Sequence, residues 1–160
     1  MAAEVFATTG TRIFIGPQVA GTLALEDYEG LSASFTEIDP VESIGKFGDE
    51  AQEIKFTSLK DGRVRKTKGP RDAGSMTLVC GWSATDLGQI ALIAAQETNN
   101  KFAFKVVFPD APTDSGTDTI VYFRALVSSD PYNAGTGGDV LRREFSVSID
   151  SELYEILAAA

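Results

Sequence analysis

The sequence predicts a mainly β fold with one packed helix. Thr, Val, Phe, Gly and Ser outweigh any Leu/Glu/Lys helical pattern, which favours pleated, half-buried surfaces over helices. Short apolar runs of period two recur between Gly, Pro, Asn and Asp turn signals. Only residues 86–99 carry a sustained 3.6-residue apolar period. At 160 residues, 43% apolar and with ten Phe, the chain is expected to form one domain over 1–160 with a core of its own.

The elements follow in order. Residues 5–8 and 12–15 flank Thr9-Gly10-Thr11 as an expected strand pair, and Gly16-Pro17 is expected to end the second strand. Further short apolar runs lie at 23–25, 33–35 and 41–44, with Asp39-Pro40 marking a turn. Ile54-Lys55-Phe56-Thr57-Ser58-Leu59 alternates as a half-buried strand should. Residues 60–74 are rich in basic residues and glycine and poor in apolar ones, so a long mobile loop is expected there. A core strand resumes over 75–82.

The helix over 86–99 opens with Asp86 and Gln89 at capping-box spacing. Leu87, Ile90, Ala91, Ala94 and Ala95 form its expected buried stripe, and Asn99-Asn100 ends it. Strands are expected at 102–108, 119–128 and 142–149, the last two joined by a flexible link through Gly135-Thr136-Gly137-Gly138. Residues 151–160 have weak helical character and are expected to form a C-terminal arm.

Chemistry is hard to place on this chain. Histidine is absent, which removes the usual general base and the commonest transition-metal ligand. The single cysteine, Cys80, lies in the alternating run Met76-Thr77-Leu78-Val79-Cys80 and is expected to be a buried strand residue. Gly135-Thr136-Gly137-Gly138-Asp139 lacks the Gly-Lys-Ser/Thr ending and following helix of a phosphate loop. Asp110, Asp114 and Asp118 do not match the ligand spacing of a calcium loop. No catalytic, metal or cofactor residue is therefore singled out, and no enzyme is expected. Met1-Ala2-Ala3-Glu4 places an acid where a secretory signal needs basic residues, and no apolar run reaches the ~18–20 residues of a membrane span.

Fourteen basic and twenty-three acidic residues give a net charge of −9, which disfavours holding nucleic acid by phosphate neutralisation. The basic residues are unevenly placed. Residues 60–71 contain Lys60, Arg63, Arg65, Lys66, Lys68 and Arg71 against Asp61, a local +5 that leaves −14 on the rest. With no interleaved aromatics, the segment is poorly suited to single-stranded nucleic acid. A solvated loop is the plain reading; docking on an acidic surface of another copy makes the asymmetry self-complementary, and such head-to-tail contacts build open stacks.

From Lys66 onward an ordered series of motifs resembles the major tail tube proteins of siphophages and gene transfer agents. A Gly/Thr/Lys-rich loop leads into Ala73-Gly74-Ser75-Met76-Thr77-Leu78, and a helix opens at Asp86-Leu87-Gly88-Gln89. Phe104-Lys105-Val106-Val107-Phe108-Pro109-Asp110 follows, then Phe123-Arg124-Ala125-Leu126-Val127-Ser128-Ser129. A glycine-containing link then precedes the strand ending Arg142-Arg143-Glu144-Phe145-Ser146-Val147-Ser148-Ile149. The series covers about residues 66–150, and residues 111–118 lengthen the link after Phe-Pro-Asp relative to the family pattern.

The resemblance implies a tail-tube-type β-barrel or sandwich with one packed helix (about 86–99) and a long loop (about 60–74). It also implies hexameric rings stacked into a hollow tube that conducts DNA from capsid to host. Residues 35–47 and 51–59, joined at Gly48-Asp49-Glu50, would supply inner strands. Lys60, Arg63, Arg65, Lys66, Lys68 and Arg71 would contact the adjoining ring, and Glu37, Asp39, Glu42, Asp49, Glu50 and Glu53 would face the lumen and repel passing DNA. Tape measure, tail terminator and distal tail proteins would be partners in a virion tail assembled in the host cytoplasm, with no membrane involved. The alternatives are a related ring protein, such as a tail terminator or secretion-system tube, and a monomeric small-ligand-binding β-barrel.

Overall fold

In the computed structural model, which describes residues 3–160, strands and helices follow the chain as β1 (Arg12–Gln18), α1 (Leu25–Gly30), β2 (Thr36–Glu37), β3 (Val41–Ser43), β4 (Glu50–Thr57), β5 (Val64–Asp72), β6 (Ser75–Gly81), α2 (Leu87–Gln96), β7 (Phe102–Val107), β8 (Ile120–Ser129), β9 (Tyr132–Asn133), β10 (Arg142–Ile149) and β11 (Tyr154–Ile156). Met1 and Ala2, which head the start-of-chain reading, lie outside the described residues.

Nine strands form one sheet in the order β2-β1-β7-β8-β10-β6-β3, with β11 added to β8 and β9 to β10; β4 and β5 pair only with each other. The fold is thus mainly β, as expected, and takes the form of one curled sheet rather than a two-sheet sandwich. β2 and β3 stand at opposite ends of the order yet are joined by Ile38-Asp39-Pro40 alone. Three residues reach roughly 10 Å at most, so the sheet must curl until its edges nearly meet. The ladder stays open at this seam: Glu37 lies opposite Phe14 of β1, whereas Val41 lies opposite Cys80 of β6.

Inside the curl, β6 and β10 alternate as their sequences demand. Met76, Leu78, Cys80, Phe145 and Val147 point inward, and Thr77 and Ser146 between them do not. Phe104 and Phe123 stack at 5.6 Å between ring centroids and fill the middle with Ile13, Ile15, Leu92 and Ala95. The outer face of β7 and β8 is covered too. Tyr28 of α1 stacks on Tyr122 at 5.6 Å, and Phe35 and Tyr154 close around the pair. Burial on both faces explains the near-continuous apolar runs of β7 and β8.

Several expectations change. Residues 5–7 form no strand and leave Val5 and Phe6 exposed. β1 continues through Gly16-Pro17 by a register shift between Ile15 and Gln18, because β7 supports the strand on either side. Residues 23–35 hold α1 and a 3-10 turn (Ser32–Ser34) rather than strands, since Tyr28 gains more by covering Tyr122. Residues 151–160 are not helical; Tyr154–Ile156 pairs with Tyr122, Val121 and Ile120 of β8. The long loop over 60–74 is largely strand: residues 64–72 form β5 against β4. Low apolar content did not prevent pairing, because the backbone ladder is satisfied by β4 alone.

α2 is the expected helix with a different face inward. Gly88, Gln89, Leu92 and Ala95 are buried, whereas Leu87 (70%) and Ile90 (44%) are exposed and Ala94 lies outward beside them. The N-terminus of α2 sits over the seam and explains this rotation. Asp86 Oδ2 accepts the N–H groups of Gln89 (2.8 Å) and Asp39 (3.2 Å). Gln89 does not complete the capping box. Its Nε2 instead donates to the carbonyls of Asp39 (3.0 Å) and Gly81 (2.9 Å), tying both sides of the seam, while its Oε1 accepts from Ser83 N–H at 3.3 Å. Gly88 lets the helix touch the chain there, for a Cβ would lie 2.6 Å from Ile38 Cα and collide with the Glu37 carbonyl.

Candidate assembly interface

Between the last residue of β3 and the first of β6 the chain leaves the curled sheet and makes an arm. β4 and β5 pair from Glu50↔Asp72 to Thr57↔Val64, and every residue of the two strands except Gly69 is exposed. Eight residues at ~3.4 Å each give the arm a reach of roughly 27 Å. At its tip Gly62 takes φ +65 and donates to Ser58 O at 2.8 Å, and Asp61 Oδ1 accepts Arg63 N–H at 3.0 Å. That backbone hydrogen bond is the main reason the Asp61 carboxyl titrates below its ordinary range. A lone two-stranded hairpin is marginal in water. Among the described residues nothing packs over this arm along its length.

Its two faces differ. Residues opposite each other in the ladder share a face, so Glu53, Lys55, Lys66 and Lys68 lie on one side. Glu53 reaches Lys55 at 3.5 Å and Lys66 at 3.8 Å, exposed pairs of small energetic consequence. Ile54, Phe56, Arg65 and Thr67 share the other side, with Phe56 66% exposed. Leu59 at the tip is fully exposed. Over residues 50–72 seven basic residues oppose four acids, so a +3 arm extends from a body carrying −12.

All six basic residues singled out from the sequence lie on this arm: Lys60 and Arg63 at the tip, and Arg65, Lys66, Lys68 and Arg71 on β5. Arg65 pairs with Asp61 at 3.4 Å. The six acids divide. Asp49, Glu50 and Glu53 sit at the base of the arm or on β4, beside those bases, and Glu37, Asp39 and Glu42 lie along the seam. Glu42 is ion-paired with Arg142, whose guanidinium holds its carboxyl below the usual range, and Glu50 pairs with Lys46, whose ammonium titrates higher in consequence. Residues 35–47 and 51–59, expected as inner strands, do not pair with each other within the chain. Residues 36–43 serve the edges of the curled sheet, and β4 takes β5 as its partner.

Sequence reasoning missed the exposed apolar face of the arm. The period-two pattern of Ile54 and Phe56 correctly gave a strand, but its cover does not come from this chain. The apolar period places Leu87 and Ile90 in the core, whereas the buried face of the helix is set by Gly88, Gln89, Leu92 and Ala95.

The interior of the curl is filled by Phe104, Phe123, Phe145 and Leu78, and the open grooves flank the arm or the surface loops. Among the described residues no cluster of Cys, Asp or Glu could hold a metal ion, and no helix is long and apolar enough to cross a membrane. Asp110 and Asp118 instead clamp the 111–118 link, accepting from Thr119 N–H (2.7 Å) and Ala111 N–H (3.0 Å), and Asp139 closes the glycine-rich turn by accepting Thr136 N–H at 2.7 Å.

No protein-family model matches the sequence, and no curated protein matches it significantly. Solved structures do match in fold. The tail of an empty gene transfer agent particle is 19% identical, with TM-score 0.64 over 94% of this chain and 99% of that one. The SPP1 tail tube is 12% identical, with TM-score 0.59 over 91% and 75%. The sheath/tube terminator of an extracellular contractile injection system, PVC, is 14% identical, with TM-score 0.68 over 98% and 99%. At these identities the likeness is one of fold: this chain has the phage tail-tube fold.

Proposed function

From this fold and its uncovered arm, we propose that the chain is a structural tail tube subunit. It assembles into hexameric rings that stack into a hollow conduit for DNA in the tail of a phage or phage-like particle. The observation that carries the reading is the arm itself, paired internally but covered by nothing in its own chain. Edge strands of this length are a hazard on a monomer and become joints in an assembly, where lateral pairing closes the sheet. The role is architectural rather than enzymatic. Histidine is absent from the sequence, and the one cysteine, Cys80, is buried with its thiol pushed up to about 12 by desolvation.

In this reading Lys60, Arg63, Arg65, Lys66, Lys68 and Arg71 belong to the contact between copies, because the arm carries them beyond the body. The lumen is assigned Glu37, Asp39, Glu42, Asp49, Glu50 and Glu53. Glu42, Glu50 and Glu53 are partly neutralised by Arg142, Lys46, Lys55 and Lys66, so Glu37, Asp39 and Asp49 supply most of the repulsion toward passing DNA. A tape measure protein, a tail terminator and a distal tail protein complete the tail. A terminator ring is the second reading, favoured by the likeness over nearly the full chain to a sheath/tube terminator. Electron microscopy of purified protein at rising concentration separates the readings: stacked tubes support the subunit, single rings that never stack support the terminator, and a persistent monomer refutes both.

A further inference from the structure

Two apolar strips in this chain lack cover, and neither covers the other within one copy. On the arm, Ile54 and Phe56 share a face with Arg65. On α2, Leu87, Ile90 and Ala94 recur at i, i+3 and i+7, and Glu97 continues the same exposed stripe at i+10. The two strips are opposite in charge. The arm carries seven basic residues against four acids, whereas residues 83–100 hold Asp86 and Glu97 and no Lys or Arg. Asp86 is already engaged with the N–H groups of Gln89 and Asp39, which leaves Glu97 as the carboxylate open to a partner.

Resting on the self-assembly reading, we infer that the arm of one copy seats on α2 of a second copy. Phe56 and Ile54 lie over Leu87 and Ile90, and Arg65 exchanges its weak pairing with Asp61 for Glu97. The occupant is a second copy because strip and complement belong to the same chain. A contact between different surfaces of identical subunits repeats from copy to copy without closing on itself at the first pair. The rotation of α2 acquires a purpose here: Gly88 and Gln89 turn inward to hold the seam, and this presents Leu87 and Ile90 outward.

The test uses the full chain, with buried Cys80 as background. A Phe56→Cys/Ile90→Cys double variant is assembled and treated with a short bis-maleimide. The expected result is a ladder of cross-linked copies that neither single variant gives. Independently, Arg65→Glu alone and Glu97→Arg alone should each raise the critical concentration for assembly about tenfold, and the two together should restore it to within about threefold. All four positions are exposed, so monomer folding, checked by circular dichroism, should be unaffected. Should the cysteines impair assembly, the charge exchange decides alone. Tubes that form without the ladder, with a ladder already in a single variant, or without rescue in the charge exchange overturn the arm-on-helix contact and leave the tube reading standing. Protein that stays monomeric at every concentration overturns both.

Discussion

Replacing Gly88 by alanine isolates the seam over which the curled sheet is tied. On an open helix, Gly→Ala stabilises by about 1 kcal/mol. Here the new Cβ would lie 2.6 Å from Ile38 Cα and 2.8 Å from the Glu37 carbonyl carbon, both backbone atoms that cannot rotate away. Overpacking of this kind costs about 1–3 kcal/mol, and the helix can relieve it only by lifting Asp86 and Gln89 off Asp39 and Gly81. Straining these three hydrogen bonds, each worth ~1 kcal/mol when whole, carries the cost toward the upper end. A net loss of about 2 kcal/mol follows, which lowers the melting temperature of a chain this size by roughly 4–8 °C. Urea and thermal unfolding at low micromolar protein would measure it, with Gly138→Ala, which meets nothing within 4 Å, as the control. A Gly88→Ala variant as stable as the parent, or stabilised by the helical increment, refutes the account of the seam.

Three further outcomes follow. Joining residue 49 to residue 73 through two glycines removes the arm at Glu50↔Asp72, where the strands are already adjacent; the body should keep its melting temperature within about 2 °C, and microscopy should show no tubes. Arg143→Ala removes a guanidinium bonded to Asp130 O (2.9 Å), Asp130 Oδ2 (2.8 Å) and Tyr132 Oη (3.0 Å) and lying over Trp82, so a loss of about 3 kcal/mol and a red-shifted emission from Trp82, the sole tryptophan, are expected. Desolvation raises the Cys80 thiol from 9.0 to about 12, so the folded chain holds a proton that the unfolded chain releases above pH 9; the stability this contributes is complete below pH 9 and lost progressively toward pH 12. A thiol reagent at pH 8 should accordingly react with Cys80 only as fast as the chain unfolds.

Much of the body was legible because its constraints are local. The alternation of Met76, Leu78 and Cys80, and of Phe145 and Val147, fixes β6 and β10 without reference to distant residues, and Asp86 announces α2 through its own cap. The misjudged elements depend on partners far along the chain. Residues 25–30 become α1 because Tyr28 finds Tyr122, and Tyr154–Ile156 becomes a strand because β8 runs beyond the end of β10 at residues 120–122. The basic residues of the candidate site were visible as a charge run, but a charge run says nothing of the hairpin that bears them. Its apolar face was hidden for a further reason: Ile54 and Phe56 have the pattern of core residues, yet both stay exposed in this chain.

Amide hydrogen exchange along β4 and β5 in dilute and assembled protein tests the central claim most directly, because the arm has neither a third strand nor a core to protect it in a single copy. The account predicts rapid exchange across residues 50–72 in the dilute monomer, while β6, β8 and β10 exchange slowly, and strong protection of the arm once the protein has assembled. An arm that exchanges equally fast in both states, or is already protected when dilute, would contradict it.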